Sequence, residues 1–105
     1  MTDIQQIMKM GQELQAKVKE LQESLEREEL EASSGGGMVN ATVNGKGDLK
    51  GLRIDPTVVD ASDVEMLEDL VVAAVAEAQS KARSFSEERM QKAAGGLPVQ
   101  LPGLF

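Results

Sequence analysis

Three glycines in the middle of the chain come closest to the spacing of a chemical motif. Gly45, Gly47 and Gly51 form G-x-G-x-x-x-G, which is one residue longer than the dinucleotide-binding fingerprint G-x-G-x-x-G. Gly45 and Gly47 lie between two predicted strands and Gly51 lies in the second of these, whereas the fingerprint opens a helix. The chain contains no G-x-x-x-x-G-K-[ST] sequence. We therefore predict that these glycines do not form a phosphate-binding loop.

The residue types that most often carry catalysis are absent or lack a partner. The chain has no histidine and no cysteine, so its serines have no imidazole to activate them. The remaining metal-ligand candidates are carboxylates. Asp55, Asp60 and Asp63 lie at predicted turns and a predicted helix start, where aspartate commonly caps the backbone. The sequence predicts no enzymatic activity, no metal site and no cofactor.

Composition indicates one small domain that gains from association. Of the 105 residues, 41% are hydrophobic, but the only aromatic ones are Phe85 and Phe105. A core of Ala, Val, Leu, Ile and Met buries little area per residue, which favours oligomerisation in a chain of this size. The chain has no cysteine, no signal-peptide pattern in residues 1–10 and no apolar run longer than Leu70–Ala76. We expect a soluble cytoplasmic protein that is not exported.

The first helix is predicted from a regular apolar spacing. Thr2 followed by Gln5 fits a capping box at its start. Apolar positions then recur at alternating steps of three and four, with one glycine among them: Ile4, Ile7, Gly11, Leu14, Val18, Leu21 and Leu25. Such a heptad seam is typical of a helix paired with another helix in a coiled coil. It is equally typical of an amphipathic helix on its own domain's core, and the spacing does not choose between them.

Three short strands are predicted between two helices. Val39, Ala41 and Val43 alternate with other residues, so one face of their strand is apolar. The dipeptide Asn44-Gly45 predicts a hairpin turn, because both residues accept a positive φ. The three strands lie within residues 27–34, 38–44 and 49–54.

The last helix is predicted to be too long for one chain to cover. Ser62 with Glu65 fits a second capping box, and no helix breaker occurs between Asp63 and Ala94. A helix of that length spans about 48 Å, whereas a compact domain of about this size has a radius of gyration of about 13 Å. We therefore expect a single domain over residues 1–94 whose last helix projects or meets a partner. Residues 95–105 are predicted to form a flexible tail whose apolar end docks on another surface.

Charge is distributed unevenly along a chain whose net charge is −7. Residues 60–77 contain six acidic residues and no basic one, whereas residues 79–105 have a net charge of +2. Residues 1–19 have a net charge of +1, and residues 20–31 contain six acidic residues and one basic residue. If the first helix runs toward the sheet and the last runs away from it, the less acidic start and the basic end lie together, distal to the sheet. Helix-dipole compensation explains the order of charge in the last helix but predicts the opposite order in the first.

The order of these elements and three segments resemble the YbaB/EbfC nucleoid-associated proteins over nearly the whole chain. The segments are IMKMGQELQAKVKELQ, GGGMVNATVNGKGDLKGLRIDP and EMLEDLVVAAVAEAQSKA, and the closing LPGLF is also similar. The resemblance implies an α+β protomer of order α-β-β-β-α, with a three-stranded antiparallel sheet flanked by two long helices, in a tweezers-like homodimer. It also implies that the protein binds double-stranded DNA with low sequence specificity, in the nucleoid, to organise DNA or control transcription.

The resemblance further implies which residues make these contacts. In the family, the projecting first and last helices are expected to contact DNA. The matching basic residues here are Lys9, Lys17, Lys19, Lys81, Arg83, Arg89 and Lys92. The apolar residues expected to join two chains are Leu67, Leu70, Val71, Ala74, Val75, Ala78, Val39 and Val43.

The acidity of the chain departs from this expectation. A dimer would carry twice the chain's charge of −7, so DNA binding should depend on local basic patches and fall steeply with salt. An alternative from another class is an interaction scaffold or a prefoldin-like chaperone clamp, which also combines a helix, a small sheet and a helix. Its client would be held by exposed apolar residues: Ile4, Met8, Met10, Phe85, Met90 and the tail. The same methionines would otherwise form the core of a dimer.

Overall fold

Two long helices flank a three-stranded sheet in the computed structural model, which describes residues 3–93. The elements in chain order are the helix α1 (Ile4–Arg27), the strands β1 (Leu30–Ser34), β2 (Val39–Val43) and β3 (Leu49–Ile54), and the helix α2 (Val64–Ala93). The central strand β2 pairs antiparallel with β1 and with β3, so both of these are edge strands. The predicted α+β class and α-β-β-β-α order are confirmed. The expected tail, residues 95–105, lies outside the described residues.

Each helix begins at an aspartate, one residue away from the predicted cap. Asp3 is the N-cap of α1, where its carboxylate accepts a hydrogen bond from the backbone N–H of Gln5 at 3.1 Å. Thr2 lies outside the described residues. At α2, Asp63 accepts a hydrogen bond from the N–H of Met66 at 3.3 Å, while the Ser62 hydroxyl donates to Asp60. The prediction that Ser62 caps α2 is therefore wrong, because a carboxylate is available one residue closer to the helix.

The core lies between one face of the sheet and α2. Val39, Ala41 and Val43 are fully buried on that face, which confirms the predicted alternation along β2. The facing residues of α2 are Ala74, Ala78 and Ala82, all of them buried. They recur every fourth position on one side of the helix. Their small side chains let the helix backbone approach the sheet closely, and nothing after Ala82 is buried among the described residues of α2.

The hairpin between β2 and β3 is closed by the side chain of Asn44, which is only 2% exposed. Its carbonyl oxygen accepts hydrogen bonds from the backbone N–H groups of Lys46 and Asp48, both at 3.0 Å. Its amide nitrogen donates to the Asp48 carboxylate at 3.2 Å. Of the residues in this turn, only Gly47 has a positive φ, at 91°. The predicted hairpin is present, but the prediction that Asn44 and Gly45 adopt positive φ is wrong, because Asn44 forms an Asx turn instead.

Two aspartates fix the segment that connects β3 to α2. Asp55 accepts hydrogen bonds from the backbone N–H of Thr57 at 2.9 Å and from its hydroxyl at 2.8 Å. These bonds favour the ionised carboxylate and lower the pKa of Asp55. The hydroxyl and N–H of Ser62 lower the pKa of Asp60 in the same way. The expectation that Asp55, Asp60 and Asp63 act as turn and helix-start residues is confirmed.

The end of α1 is docked on the β2–β3 hairpin through Gly45. The N–H of Gly45 donates to the carbonyl oxygen of Leu25 at 2.8 Å. A Cβ atom at position 45 would lie 2.8 Å from that same oxygen and 3.1 Å from the Cα of Leu25. Both atoms belong to the backbone and cannot rotate away. Glycine is therefore required here by close approach and not by its own φ.

We expect Gly45→Ala to lower the free energy of unfolding by about 1–3 kcal/mol, the usual effect of overpacking a tight contact. Gly11→Ala is the matched control, because a Cβ at position 11 meets nothing within 4 Å. It removes a glycine from a helix interior and should raise stability by about 0.5–1 kcal/mol. Urea denaturation followed by circular dichroism measures both changes. An unchanged or raised stability of Gly45→Ala would contradict the docking described above.

The protomer is strongly elongated, with principal extents of 73 × 23 × 17 Å. Its radius of gyration is 19.6 Å, against about 13 Å for a compact domain of this length. Every residue from 3 to 20 is exposed, whereas Leu25 is buried. Most of α1 therefore extends away from the sheet and is not covered by the described residues of its own chain.

Candidate nucleic-acid interface

The extended part of α1 carries three of the predicted DNA-binding residues. Lys9, Lys17 and Lys19 are all exposed, and no ion pair among residues 3–93 includes any of them. At 3.6 residues per turn, Lys9 lies about 160° and Lys19 about 120° from the centre of the apolar seam. Lys17 lies about 80° from it, on the other side. The lysines are thus spread over the polar faces of a helix that solvent surrounds.

Three of the four predicted residues on α2 already contact their own chain. The Lys81 ammonium group donates to the carbonyl oxygen of Glu31 at 3.0 Å. Arg89 lies 3.5 Å from the Glu28 carboxylate, and its guanidinium stands 4.9 Å from the centre of the Phe85 ring. Lys92 pairs with Glu88, one turn earlier, at 3.5 Å. All three remain exposed. The ion pairs of Arg89 and Lys92 are therefore weak, and these two residues can exchange a carboxylate partner for a phosphate.

Arg83 lies on another side of α2, about 160° around the helix from Lys81. It lines an open cleft of ≈ 650 Å³ between α2 and the β2–β3 hairpin. Lys46 lines the same cleft from the hairpin, with its ammonium group 2.9 Å from the Glu26 carboxylate. The sequence analysis did not single out Lys46. No local pattern could have found it, because its proximity to Arg83 arises only when the hairpin packs beside α2.

The structure separates the two basic groups that were expected to lie together. Arg89 contacts Glu28, so the basic end of α2 lies beside the last turn of α1. Lys9 is 19 residues earlier in the chain, which places it about 28 Å further along the helix axis. The expectation that the start of α1 and the end of α2 are distal together is therefore wrong. The reason is that α2 spends most of its length covering the sheet, while α1 does not.

The apolar residues expected to join two chains lie in the core of a single chain. Val39, Val43, Ala74 and Ala78 are fully buried, with no exposed surface left for a partner. The other four are partly buried and pack against the same core: Leu67, Leu70, Val71 and Val75. The four fully buried residues therefore have no surface to offer a second chain, whereas the four partly buried ones keep some exposed surface.

One exposed apolar surface, here called the β3 face, lies beside the core. Leu52 is opposite Ala41 and Ile54 is opposite Val39, so both point to the face of the sheet that α2 covers. However, α2 packs over β1 and β2, and Leu52 remains 39% exposed. The side chain of Gln79 donates a hydrogen bond to the carbonyl oxygen of Gly47, in the hairpin that leads into β3. Val72 is two helical turns before Gln79, so it lies on the same side of α2 and also turns toward β3. The β3 face thus consists of Leu49, Leu52, Ile54 and Val72, all exposed.

Comparison with known proteins assigns the chain to a family. A family model described as the YbaB/EbfC DNA-binding family matches residues 1–97. The chain belongs to the YbaB/EbfC DNA-binding family. The resemblance noted in the sequence is therefore confirmed. The assignment to the class of DNA-binding, nucleoid-associated proteins is confirmed with it.

Relatives of this family come from several bacteria. A nucleoid-associated protein of Granulibacter bethesdensis is 48% identical over 97 residues, covering 92% of this chain and 91% of that protein. One from Brucella ovis is 43% identical over 99 residues, covering 94% and 92%. The crystal structure of an uncharacterized protein from Helicobacter pylori matches with a TM-score of 0.71 at 24% identity, over 90% of this chain and 97% of that one. That likeness shows that the fold is shared.

The described part of the chain offers little besides charge and apolar surface. Residues 3–93 contain no group of three or more carboxylates placed to hold a metal ion. No helix among them is both long enough and apolar enough to cross a lipid bilayer. The functional candidates within this range are thus the basic residues of the two helices, Lys46, and the two exposed apolar surfaces on α1 and β3.

Proposed function

We propose that this protein is a non-enzymatic, nucleoid-associated protein that binds double-stranded DNA as a homodimer. It does so with low sequence specificity, changes the organisation of the DNA and thereby influences gene expression. The observation that carries the proposal is the extended helix α1, whose Lys9, Lys17 and Lys19 are exposed and have no ion-pair partner within residues 3–93. Membership of a DNA-binding family supports it.

The uneven distribution of charge makes DNA binding compatible with a net charge of −7. The acidic residues of α1 are concentrated from Glu20 onward, next to the sheet, whereas residues 1–19 have a net charge of +1. Lys9 is about 28 Å from Glu28 along the helix, which exceeds the Debye length of about 8 Å at physiological salt. The acidic body therefore repels DNA only weakly where Lys9 would contact it, whereas Lys17 and Lys19 lie within one helical turn of Glu20.

The residues of α2 extend the same proposed surface toward the sheet. Arg83 and Lys46 share one cleft, and Arg89 lies at the base of α1 beside Glu28. Lys81 and Lys92 complete the set on the exposed side of α2. These side chains would hold phosphates, which carry no sequence information. Low sequence specificity follows from contacts of this kind.

The proposed homodimer forms through the β3 face. Leu49, Leu52 and Ile54 continue the core beyond the edge of α2, and Val72 stands exposed beside them. A second copy placed on this surface would cover each β3 with apolar residues of the other α2. In such an arrangement the apolar run of α2, Leu70–Ala76, would be buried on two sides, as expected of a helix that is apolar nearly all round.

A second candidate function has one observation in its favour. Ile4, Met8 and Met10 near the tip of α1 are 73%, 60% and 68% exposed, which is the apolar surface that a chaperone clamp requires. The other two residues of that hypothesis, Phe85 and Met90, are only partly exposed. Suppression of client aggregation without DNA binding would favour this function over the first.

The proposal is tested by titrating the protein into a fluorescently labelled duplex and measuring anisotropy over a series of salt concentrations. We expect binding that weakens steeply with salt. Six phosphate contacts would give a slope of about −5 in a plot of log K against log salt, because each contact contributes about −0.9. A shuffled duplex of the same length should bind within about threefold, since phosphate contacts dominate.

Two results would contradict this proposal. The absence of binding at low salt would remove DNA as the ligand, and the chaperone assay would then decide the alternative. Binding whose affinity does not change with salt would exclude a phosphate-contacting surface and would leave the roles of Lys9, Lys17 and Lys19 without support.

A further inference from the structure

Lys46 has a fixed position between the two helices, because the glycine on each side of it is bound to one of them. The N–H of Gly45 donates to the carbonyl oxygen of Leu25 in α1 at 2.8 Å. The carbonyl oxygen of Gly47 accepts a hydrogen bond from the side chain of Gln79 in α2 at 3.2 Å. The side chain of Lys46 is nevertheless exposed. The hairpin thus presents one flexible cation at a place that the backbone defines.

One face of α2 forms the opposite wall of the cleft that Lys46 lines. The residues of this wall recur at the three- and four-residue steps of a helix face: Gln79, Arg83, Ser86, Glu87 and Met90. Arg83 is exposed and takes part in no ion pair within residues 3–93. A phosphate group in the cleft would therefore have one cation on each wall, Lys46 and Arg83.

The ammonium group of Lys46 is already bound to an anion, the carboxylate of Glu26 in the last turn of α1. Nζ of Lys46 lies 2.9 Å from Oε1 of Glu26, which is typical of a charge-assisted hydrogen bond. Glu26 is not among the described residues that line the cleft, and its side chain is 54% exposed. Because the pair is solvated, it is weak and opens easily. Lys46 can then turn its charge to another anion.

We propose that Lys46 and Arg83 together bind a backbone phosphate of DNA, and that Glu26 holds Lys46 in the DNA-free protein and is displaced when DNA binds. This inference rests on the proposed DNA binding and assigns to it an internal competitor. The cleft is lined by two basic residues and one acidic residue, Glu87, which gives a net charge of +1. Glu26 cancels that charge while it is bound to Lys46. A phosphate contacts both cations, whereas Glu26 pairs with only one of them, so the phosphate is the stronger ligand.

The competition gives Glu26 an effect on DNA binding that acts through Lys46. A general repulsion between the acidic end of α1 and DNA would act equally without Lys46. Glu23 separates the two explanations, because it lies three residues earlier on the same helix, about 4.5 Å along its axis. It is exposed and belongs to no ion pair among the described residues. Its removal therefore changes the charge at almost the same place without freeing Lys46.

A double-mutant cycle in the full chain tests the competition, with the anisotropy of a labelled duplex near 0.1 M salt as the measurement. Alanine is the best helix former, so Glu26→Ala and Glu23→Ala should both keep α1 intact. We expect Glu26→Ala to tighten DNA binding about threefold more than Glu23→Ala, because an exposed ion pair is worth up to about fivefold in an equilibrium constant. Matching circular dichroism spectra show that the variants fold alike.

The second arm of the cycle removes the cation. Lys46→Ala should weaken DNA binding by about threefold when Glu26 is present and by about tenfold in the Glu26→Ala protein. The larger value is the worth of one phosphate contact near this salt concentration, and the smaller one is that contact reduced by the competition. In the Lys46→Ala protein, Glu26→Ala should have no larger effect than Glu23→Ala, since such coupling requires both partners.

The other outcomes separate this inference from the proposed function. Equal effects of Glu26→Ala and Glu23→Ala on a duplex that still binds would overturn the competition and leave the proposed function intact. The same holds if Glu26→Ala tightens binding equally with and without Lys46. If Lys46→Ala had no effect in either protein, Lys46 would not be a phosphate-binding residue. Failure of the unaltered protein and of every variant to bind the duplex at low salt would overturn both proposals.

Discussion

Replacing Lys9, Lys17 and Lys19 together by glutamine is expected to weaken DNA binding by at least about 100-fold near 0.1 M salt. The estimate follows from the slope of about 0.9 per phosphate contact, which makes each contact worth nearly tenfold at that salt concentration. Glutamine retains good helix propensity, so α1 should remain helical. None of the three lysines has an ion-pair partner among the described residues, and their loss therefore leaves no carboxylate unpaired there.

The salt dependence of DNA binding by this variant also shows how many α1 helices contact the duplex. If one α1 of the dimer contacts DNA, three contacts are lost and the slope becomes shallower by about 3. If both do, six are lost and the slope becomes shallower by about 5. Anisotropy titrations at four or more salt concentrations distinguish these cases. An unchanged slope would show that α1 is not the phosphate-contacting element, and the basic residues of α2 would then be tested alone.

A matched control uses the three basic residues that are not assigned to the proposed surface. Replacing Arg27, Lys50 and Arg53 by glutamine changes the net charge of the chain by the same three units. These residues belong to the base of α1 and to β3, and Arg53 lies on the outer face of the sheet, opposite Asn40. We expect less than about tenfold weakening from the general loss of positive charge. If the two triple variants weakened DNA binding equally, the affinity would depend only on the net charge of the protein.

The fold was predictable from the sequence where the signal is local. The alternation of Val39, Ala41 and Val43 is a period of two that only a half-buried strand explains, and all three residues are buried in the sheet. The start of α2 was likewise predicted to within one residue, because the turn residues before it are unambiguous. These assignments follow from the sequence pattern alone, and family membership agrees with them.

The candidate site was less predictable because it depends on contacts between distant residues. Charge patterning identified Arg89 as basic but could not show that it pairs with Glu28, 61 residues earlier. Lys46 was missed for the same reason. The apolar residues of α2 illustrate a further limit. Leu67 and Val71 have the spacing of an interface helix, yet a helix that covers its own sheet has the same spacing, and only the structure shows which surface they cover.

The second large effect is expected at the β3 face. Leu52→Glu should convert the proposed dimer of twice 11.2 kDa into a monomer of 11.2 kDa when measured by light scattering at micromolar concentration. In the single chain Leu52 is 39% exposed, so a glutamate there remains solvated. In the dimer its carboxylate would be buried without a partner, which costs about 2–3 kcal/mol of binding free energy. Because a two-fold interface contains each residue twice, the dissociation constant should rise on the order of 10³-fold to 10⁴-fold.

Arg53→Glu is the appropriate control for this change. It introduces a carboxylate at the next residue of β3 and alters the charge even more, but on the outer face of the sheet. We expect it to leave the dimer intact, so that charge alone cannot explain a monomeric Leu52→Glu. Circular dichroism should show the same helix content for both variants. A Leu52→Glu protein that keeps the dimer mass would exclude the β3 face as the contact.

Loss of the dimer should in turn weaken DNA binding although no basic residue has changed. A monomer carries only one α1. The phosphate contacts of the second chain are therefore lost, and so is the gain in affinity from linking two binding elements. The seam of α1 cannot substitute for the β3 face, because it spans few heptads and has Gly11 at a central position. We therefore expect the salt slope of Leu52→Glu to fall to about half that of the unaltered protein. A monomer that retains the full slope would show that one chain makes every phosphate contact, and that dimerisation serves to join two DNA segments.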